Sequence, residues 1–288
     1  MKADVEIIIT AILIAAPAAL LGCFLVARKM AMLGDAISHA VLPGIVIAFL
    51  ISGSRDQEWM LLGAIIAGFT VSFLIQMMQS KIKLQQDASI GISYTFLFAI
   101  GVILVSRYGA QVDLDQDCVL YGEIAYVPLD RFIVNNIDLG PKQIWISSAL
   151  LLAVSAFIYK AYKALLISSF DSSYASALGF SVITWHYLLM GAVSATTVIS
   201  FESVGAILVV ALLVVPAATA YLIANHFKKL LFLSLAFAIS SVLLGYLLAY
   251  LFNGSIAGAI AFANGLQFML VLVWKRFPSG KLKTEEIG

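Results

Sequence analysis

The stretch Met-Ala-Met-Leu-Gly-Asp-Ala-Ile-Ser-His-Ala-Val-Leu-Pro-Gly-Ile-Val-Ile-Ala-Phe-Leu, residues 30–50, decides the fold class of this chain. It is long enough to cross a bilayer, since a membrane-spanning helix needs about 20 mostly apolar residues. Yet Asp35 and His39 lie inside it. A charged side chain at membrane depth costs several kcal/mol, so ionisable residues in such helices usually line a path or a site. The stretch therefore predicts a transmembrane helix that carries a polar pair.

The chemistry of this pair points to a metal ion. Residues four apart share one face of a helix, so the carboxylate of Asp35 and the imidazole of His39 point the same way. Carboxylate oxygen with imidazole nitrogen is a ligand set that Mn²⁺, Fe²⁺ or Zn²⁺ accepts. Pro43 has no N–H to donate, which frees the carbonyl of His39 and should bend the helix as a hinge. The alternative is a buried, hydrogen-bonded pair that only fixes helix packing.

The composition extends the membrane assignment to the whole chain. Of its 288 residues 62% are hydrophobic and 11% charged, whereas a soluble domain carries about a quarter charged residues. We interpret residues 1–288 as one all-α polytopic membrane domain of eight or nine transmembrane helices surrounded by lipid. No basic run with interleaved aromatic residues suggests nucleic acid as a partner. The predicted spans are 6–27, 31–51, 59–79, 89–106, 143–163, 183–199, 203–224, 230–251 and 256–274.

The distribution of basic residues predicts the orientation. Most of the 17 Lys and Arg residues fall in alternate loops, and such loops usually lie in the cytosol. This alternation places the N-terminus outside, the C-terminus in the cytosol, loop 107–142 outside and segment 164–182 inside. The basic residues that carry the assignment are Arg28, Lys29, Lys81, Lys83, Lys160, Lys163, Lys228, Lys229, Lys275, Arg276, Lys281 and Lys283.

The cytosolic segment contains a short polar insert, residues 170–180. Asp171 is a natural N-cap, and Gly179 supplies a left-handed stop after Leu178. The insert therefore predicts a helix of about two turns, which is too short to be stable in water unless it packs on something. It is either an ordinary connector or a coupling helix that fits a groove on a cytosolic partner.

Three further residues allow two interpretations each. Glu202 begins the span 203–224 near the outer surface, as a second cation contact or as an interfacial acid with water access. Pro216 frees the carbonyl of Leu212, which makes it a candidate hinge, although such prolines are common in membrane helices. His186 is predicted to make a structural hydrogen bond rather than to bind metal.

The external loop carries an acidic run, Asp113, Asp115 and Asp117. Its spacing resembles the start of a calcium loop but lacks the glycine and glutamate that such loops require. An acidic outer face could draw cations toward the chain or dock a basic partner. An ordinary solvated loop is the alternative.

Residues 33–44, Leu-Gly-Asp-Ala-Ile-Ser-His-Ala-Val-Leu-Pro-Gly, closely resemble the signature of the permease subunits of ABC importers for zinc, manganese and iron. The insert 170–180 is similar to that family's Asp-x-x-x-Ala-x-x-Leu-Gly segment. Residues 204–220 resemble its later conserved span, and 112–124 are similar to the manganese- or iron-type members. The chain departs from the family near Asn264-Gly265, where a Pro-Ser-Gly-like turn is common.

The resemblance implies the fold of the type II, vitamin B12-type importers and a place in the bacterial cytoplasmic membrane. It implies that the chain is the permease of an ATP-driven importer of Mn²⁺, Fe²⁺ or Zn²⁺, with manganese favoured. Its expected partners are a cytosolic ATPase subunit, an external metal-binding protein and a second permease chain, identical or sister. No permanently bound cofactor is expected.

The same resemblance favours Asp35 and His39 as transient metal ligands, completed by other helices or by the second chain. It implies that four residues of the insert contact the ATPase, namely Asp171, Ala175, Leu178 and Gly179. The chain has no G-x-x-x-x-G-K-[ST] phosphate loop, so ATP hydrolysis is expected on a separate subunit. Two rivals remain: a secondary metal carrier or channel, which would not need the insert, and an intramembrane metalloprotease, whose His-Glu-x-x-His motif is absent.

Overall fold

The computed structural model describes residues 2–53, 57–108, 124–134 and 137–276, and this part of the chain is almost entirely helical. Its helices are α1 (Lys2–Ala27), α2 (Leu33–Ser52), α3 (Gln57–Met77), α4 (Gln86–Tyr108), α5 (Lys142–Phe170), α6 (Ser172–Ala177), α7 (Val182–Ile223), α8 (Phe227–Phe252) and α9 (Ile256–Arg276). A π-helical turn, Met78–Ile82, extends α3. A 3₁₀ helix (Ile124–Leu129) and an antiparallel hairpin of β1 (Arg131–Val134) and β2 (Ile137–Pro141) precede α5.

Nine segments of the described chain are long and apolar enough to cross a membrane. The number nine arises because α7 holds two of them, Val182–Phe201 and Ser203–Ile223. The backbone of this long helix breaks at Gly205, in the first turn of the second span, where a φ of 75° and a ψ of 166° lie outside the helical region. Glycine adopts this positive φ without the penalty that a Cβ imposes. The predicted all-α polytopic fold is confirmed, and the nearly continuous stretch 183–224 forms one long helix whose backbone breaks at Gly205.

The end of α5 differs from the sequence-based span. α5 continues to Phe170, seven residues beyond the predicted end of the span 143–163, because Ala164, Leu165 and Ser168 are buried against the rest of the chain. Within segment 164–182, only α6 and the residues beside it lie outside the long helices.

Near Asn264-Gly265, where the sequence departs from the family pattern, α9 continues without a break. Asn264 is buried, and its amide nitrogen donates to the Ile260 carbonyl.

α1 lies at the centre of the bundle and packs against α5, α7 and α8. Leu21, Phe24 and Leu25, in its C-terminal half, are fully buried. At Gly22 a Cβ would lie 1.7 Å from the carbonyl oxygen of Leu213, so α1 and α7 touch backbone to backbone. Small residues commonly permit such close approach between membrane helices, where van der Waals packing drives association.

α2 and α3 are joined in the same way. A Cβ on Gly44 would lie 2.3 Å from the Gly63 carbonyl oxygen, and a Cβ on Gly63 would lie 2.3 Å from that of Gly44. The two helices therefore cross with their backbones in contact one turn beyond the helical segment that carries Asp35 and His39. This contact fixes α2 against its neighbour.

Replacing Gly44 by Ala should destabilise the protein, because neither backbone can move away without separating α2 from α3. We expect a loss of about 1–3 kcal/mol, the usual cost of overpacking, seen as a lower thermal unfolding midpoint in detergent. Gly265→Ala is the matched control, since a Cβ on Gly265 meets nothing within 4 Å. Equal midpoints for the two variants would contradict the close contact.

Candidate metal centre

Asp35 and His39 lie one turn apart near the start of α2 and face each other. The Nε2 atom of His39 is 3.6 Å from the Oδ1 atom of Asp35. Two donors about 2.1 Å from one tetrahedral ion are about 3.4 Å apart. A small side-chain movement would therefore let both atoms reach the same ion. The prediction that both side chains share one face of the helix is confirmed.

The exposure of the pair argues against a purely structural role. In the single chain 41% of the His39 side chain and 37% of the Asp35 side chain are exposed. A pair that only fixed helix packing would be buried between helices. Contact between an ionised carboxylate and lipid is energetically unfavourable. This face of α2 therefore requires water or another protein surface beside it.

α4 supplies an aromatic wall beside the imidazole. Tyr94 stacks on His39 with ring centroids 5.6 Å apart, and Phe98 meets it edge-on at the same distance. The two rings lie four residues apart, on one face of α4. They fix the plane of the imidazole and leave its Nε2 atom directed at Asp35. Sequence reasoning missed both, because nothing in an aromatic-rich span distinguishes these two rings from those that face lipid.

Pro43 and the turn above the pair also pack on α4. A Cβ on Gly101 would lie 2.9 Å from the Pro43 Cδ atom, so the proline ring rests directly on the α4 backbone. Pro43 lies inside α2 and Pro216 inside α7, where each lacks the N–H that would close a helical turn. Whether either acts as a hinge stays a prediction.

No third ligand from this chain joins the pair within the described residues, where no group of three His, Cys, Asp or Glu side chains comes together. The backbone of Glu202 lies in α7, three residues before the break at Gly205; its side chain lies outside the part that the structure describes, as does the acidic run Asp113, Asp115 and Asp117. Their predicted roles stay predictions.

The insert 170–180 forms the predicted short helix, α6. The side chain of Asp171 accepts a hydrogen bond of 2.9 Å from the backbone N–H of Tyr174, and Gly179 adopts a φ of 83°. Both capping predictions are thereby confirmed. Ala175 is buried, whereas Tyr174 and Leu178, four residues apart, are 56% and 50% exposed. α6 is thus anchored on one side and presents an apolar ridge on the other.

Arg28 lies in the turn between α1 and α2 and contacts the two helices that precede and follow α6, namely α5 and α7. Its Nε atom donates to the Ser169 hydroxyl and its Nη2 atom to the Ser168 hydroxyl, each at 2.9 Å, and its Nη1 atom lies 3.3 Å from the His186 Nδ1 atom. Burial lowers the pKa of Arg28 to about 10. No carboxylate pairs with this guanidinium in the described part of the chain. We call these four residues the Arg28 cluster.

The turn after Arg28 is tightly held. Lys29 has a φ of 61°, and the buried Met30 donates its N–H to the Leu25 carbonyl at 2.8 Å. α2 then begins at Leu33. The Arg28 cluster therefore joins α5, α7 and the start of α2 as one unit, and the structural hydrogen bond predicted for His186 is its contact with Arg28.

At the opposite end of α1, Arg131 ties the hairpin to the helix bundle. Its Nη2 atom lies 3.1 Å from the Glu6 carboxylate on α1, and its Nη1 atom contacts Asp138 on β2. The Gly140 backbone N–H and then Arg131 lower the pKa of Asp138. Asp138 correspondingly raises the pKa of Arg131. The hairpin is thus fastened by a three-residue ionic cluster.

Comparison with known proteins identifies the family. The profile of the ABC 3 transport family matches residues 4–275. The chain belongs to the ABC 3 transport family. The resemblance seen in residues 33–44 is therefore confirmed.

Individual relatives of this ABC 3 member match over most of their length. The chain is 47% identical to the manganese transport system membrane protein MntD of Bacillus subtilis over 266 residues, 92% of this chain and 90% of that protein. It is 37% identical to the zinc transport system membrane protein TroD of Treponema pallidum, over 93% of this chain and 73% of that protein. The structure of PsaBC from Streptococcus pneumoniae in complex with Fab superposes with a TM-score of 0.75 at 34% identity, covering 93% of this chain and 90% of that one.

Proposed function

We propose that this chain is the permease subunit of an importer that moves divalent transition metal ions into the cytosol, with Mn²⁺ as the favoured substrate and Fe²⁺ or Zn²⁺ as alternatives. The observation that carries the proposal is the pair of Asp35 and His39, whose donor atoms lie 3.6 Å apart on an exposed face of a membrane helix. The relatives named for manganese and for zinc transport support the same substrate class.

Two side-chain donors suit a transported ion better than a resident one. A structural metal site in a protein has four ligands in a closed shell, and such a site would release its ion slowly. Water, or residues of a second permease chain packed against the exposed face of α2, would complete the shell during transport. An identical or a sister chain would serve equally well for this purpose.

In the proposed complex the energy comes from a separate ATPase subunit on the cytosolic side. α6 has the properties required of its docking element, since it is capped, anchored by Ala175 and apolar on its exposed ridge. The Arg28 cluster would carry a displacement of α6 to the start of α2 at Leu33, two residues before Asp35. Pro43 and Pro216 are the proposed points of bending. The orientation that places α6 in the cytosol rests on the distribution of Lys and Arg.

The external side would receive the ion from a separate metal-binding protein. The hairpin held by Arg131 lies at the end of the bundle opposite α6, and the predicted acidic loop precedes it in sequence. We propose that this end faces outward and forms the entrance. Membrane localisation in a bacterial cytoplasmic membrane is part of the same proposal.

The direct test is metal-dependent ATPase stimulation in a reconstituted complex with each ion supplied separately. If the proposal is right, Mn²⁺ delivered by the binding protein accelerates ATP hydrolysis and accumulates inside the vesicles. Zn²⁺ and Fe²⁺ measured in parallel rank the substrates. Uptake that needs no ATPase would instead favour a secondary carrier.

Acidification should inhibit uptake, because protons compete with the metal for the imidazole and the carboxylate. The ion pair between Arg131 and Asp138, which holds the hairpin, should not contribute to this effect. The pKa of Asp138 in the folded protein is lowered. Its contribution to the free energy of folding is therefore complete above the ordinary carboxyl pKa of about 3.9. That contribution is lost only as the pH falls through the lowered pKa.

The pH effect can therefore be assigned with one variant. Arg131→Ala should leave the midpoint of the uptake profile between pH 5 and pH 8 unchanged, although it frees the hairpin. A midpoint that moves with this substitution would show that the hairpin, and not the Asp35–His39 pair, controls the response to acid.

Arg28→Lys should uncouple ATP hydrolysis by the ATPase subunit from metal binding by the permease. Lysine keeps the charge but cannot donate to three partners with a rigid planar fork. We expect the ATPase to co-purify normally and metal stimulation of ATP hydrolysis to fall by at least about fivefold, since hydrogen bonds from charged groups contribute about 1.5–3 kcal/mol each. Lys29→Asn, at an exposed neighbour whose positive φ asparagine tolerates, is the control. Metal stimulation of ATP hydrolysis at the parental level in Arg28→Lys would rule out the Arg28 cluster as the connection between α6 and α2.

A further inference from the structure

A groove of about 390 Å³ lies on the outer surface of the bundle where α1, α5 and α8 meet, far from the Asp35–His39 pair in the chain. Its lining residues are Leu20, Ser155, Ile158, Tyr159, Tyr162 and Lys228. The four that come from α5 recur at the helical spacing i, i+3, i+4, i+7, and Ser155 to Tyr162 extends about 10 Å along the helix. The groove is therefore elongated along the membrane-spanning direction.

The groove changes character from one end to the other. Leu20 lies seven residues before the end of α1, about 10 Å inside the span, and together with Ile158 it forms an apolar wall. Lys228 lies in the first turn of α8, and Tyr162 lies near it through the ring of Phe227, with centroids 6.3 Å apart. One end is thus apolar and at membrane depth, and the other carries an ammonium group and phenol hydroxyls.

The charged end has no counter-ion from its own helices. α5 and α8 contain no Asp or Glu, and within the described residues no acidic side chain pairs with Lys228. Further positive charge lies next to the lining residues in the chain, at Lys160, Lys163 and Lys229. The ligand that this end favours is therefore an anion.

The direction in which the groove opens identifies the kind of anion. Tyr159 is 86% exposed, and Leu152 on the same side of α5 is 71% exposed. Leu152 lies still deeper in the span, so this face of α5 meets the membrane rather than the cytosol. A soluble protein cannot reach such a face, whereas a lipid lies against it permanently.

We propose that the groove binds one phospholipid with an anionic headgroup, its phosphate beside Lys228 and the tyrosine hydroxyls and an acyl chain along Leu20 and Ile158. Basic pockets between membrane helices on the cytoplasmic side bind anionic headgroups in this manner, and tyrosine is common at the membrane interface. The lipid would join α5 and α8, the helices that flank α1. The proposal is independent of which metal the chain transports.

The test uses the full chain in detergent with dioleoylphosphatidylglycerol as the probe and dioleoylphosphatidylcholine as its uncharged counterpart. Native mass spectrometry should detect one phosphatidylglycerol that survives mild activation, and the unfolding midpoint should rise saturably with this lipid and not with phosphatidylcholine. Lys228→Ala should weaken the apparent phosphatidylglycerol affinity by about fivefold, the effect of one lysine at an anionic lipid.

Lys229→Ala is the matched control, because Lys229 adjoins Lys228, is also exposed and does not line the groove. It should weaken phosphatidylglycerol binding clearly less than Lys228→Ala does. Ser155→Phe fills the groove without changing its charge and should also weaken phosphatidylglycerol binding. This variant tests the site even if Lys228→Ala fails to fold. Equal losses in the Lys228 and Lys229 variants would reduce the effect to general surface charge and overturn the site. Binding restricted to isolated chains and absent from an assembled permease pair would assign the groove to a second chain and overturn it as well.

Discussion

Asp35→Asn and His39→Ala should each abolish metal uptake while the protein still reaches the membrane and binds its ATPase. Asparagine keeps the shape of the aspartate but removes the charge that attracts a divalent cation, and alanine removes the imidazole donor. Loss of a residue that merely supports a metal ligand already lowers affinity by about 10–100-fold. Loss of a ligand should lower it at least as much. The measurement is uptake of radioactive manganese by cells that express the complete transporter.

Two substitutions elsewhere serve as matched controls. Asp87→Asn removes an exposed acid from the first turn of α4, and His226→Ala removes an exposed imidazole beside the start of α8. Both should transport normally. The double variant of Asp35 and His39 should be no worse than either single variant, because groups that act as a unit are not additive. Uptake near the parental rate in either single variant would remove this pair from the mechanism.

Replacing Tyr174 and Leu178 together by Asp should separate the permease from its ATPase. These two exposed side chains form the apolar ridge of α6, and central apolar contacts of an interface commonly contribute about 2 kcal/mol or more each. We therefore expect at least about a 30-fold loss of affinity, measured by co-purification of the ATPase with the tagged permease. Transport should fail as a consequence.

The control for this prediction lies on the same short helix. Ser173→Ala changes an exposed residue that caps nothing and belongs to neither the ridge nor the anchor, so the complex should survive. Asp171→Ala removes the cap of α6 and should weaken the complex to an intermediate degree. If the ridge variant retains its ATPase, α6 is an ordinary connector and the coupling surface lies elsewhere.

Sequence alone was sufficient for the features that depend on local rules. Hydrophobic length located the membrane helices, the four-residue spacing placed Asp35 and His39 on one face, and N-cap and glycine chemistry predicted both ends of α6. Each of these follows from a few neighbouring residues, so no knowledge of the packing is required.

The features that sequence could not supply depend on contacts between distant helices. Tyr94 and Phe98 surround His39 only because α4 packs beside α2, and Arg28 meets His186 across a separation of 158 positions. The backbone contact of Gly44 with Gly63 is equally invisible, since glycines are common throughout this chain. The break at Gly205 was obscured because it falls inside the apolar run 204–215.

The metal site is tested most directly by a structure of the assembled transporter with Mn²⁺, read by anomalous scattering at the manganese edge. We expect a peak between the Asp35 Oδ1 and His39 Nε2 atoms, about 2.2 Å from each, on a face of α2 that borders the space between two permease chains. A peak bound by other residues, or a pair of side chains that faces lipid in the assembled complex, would contradict this expectation.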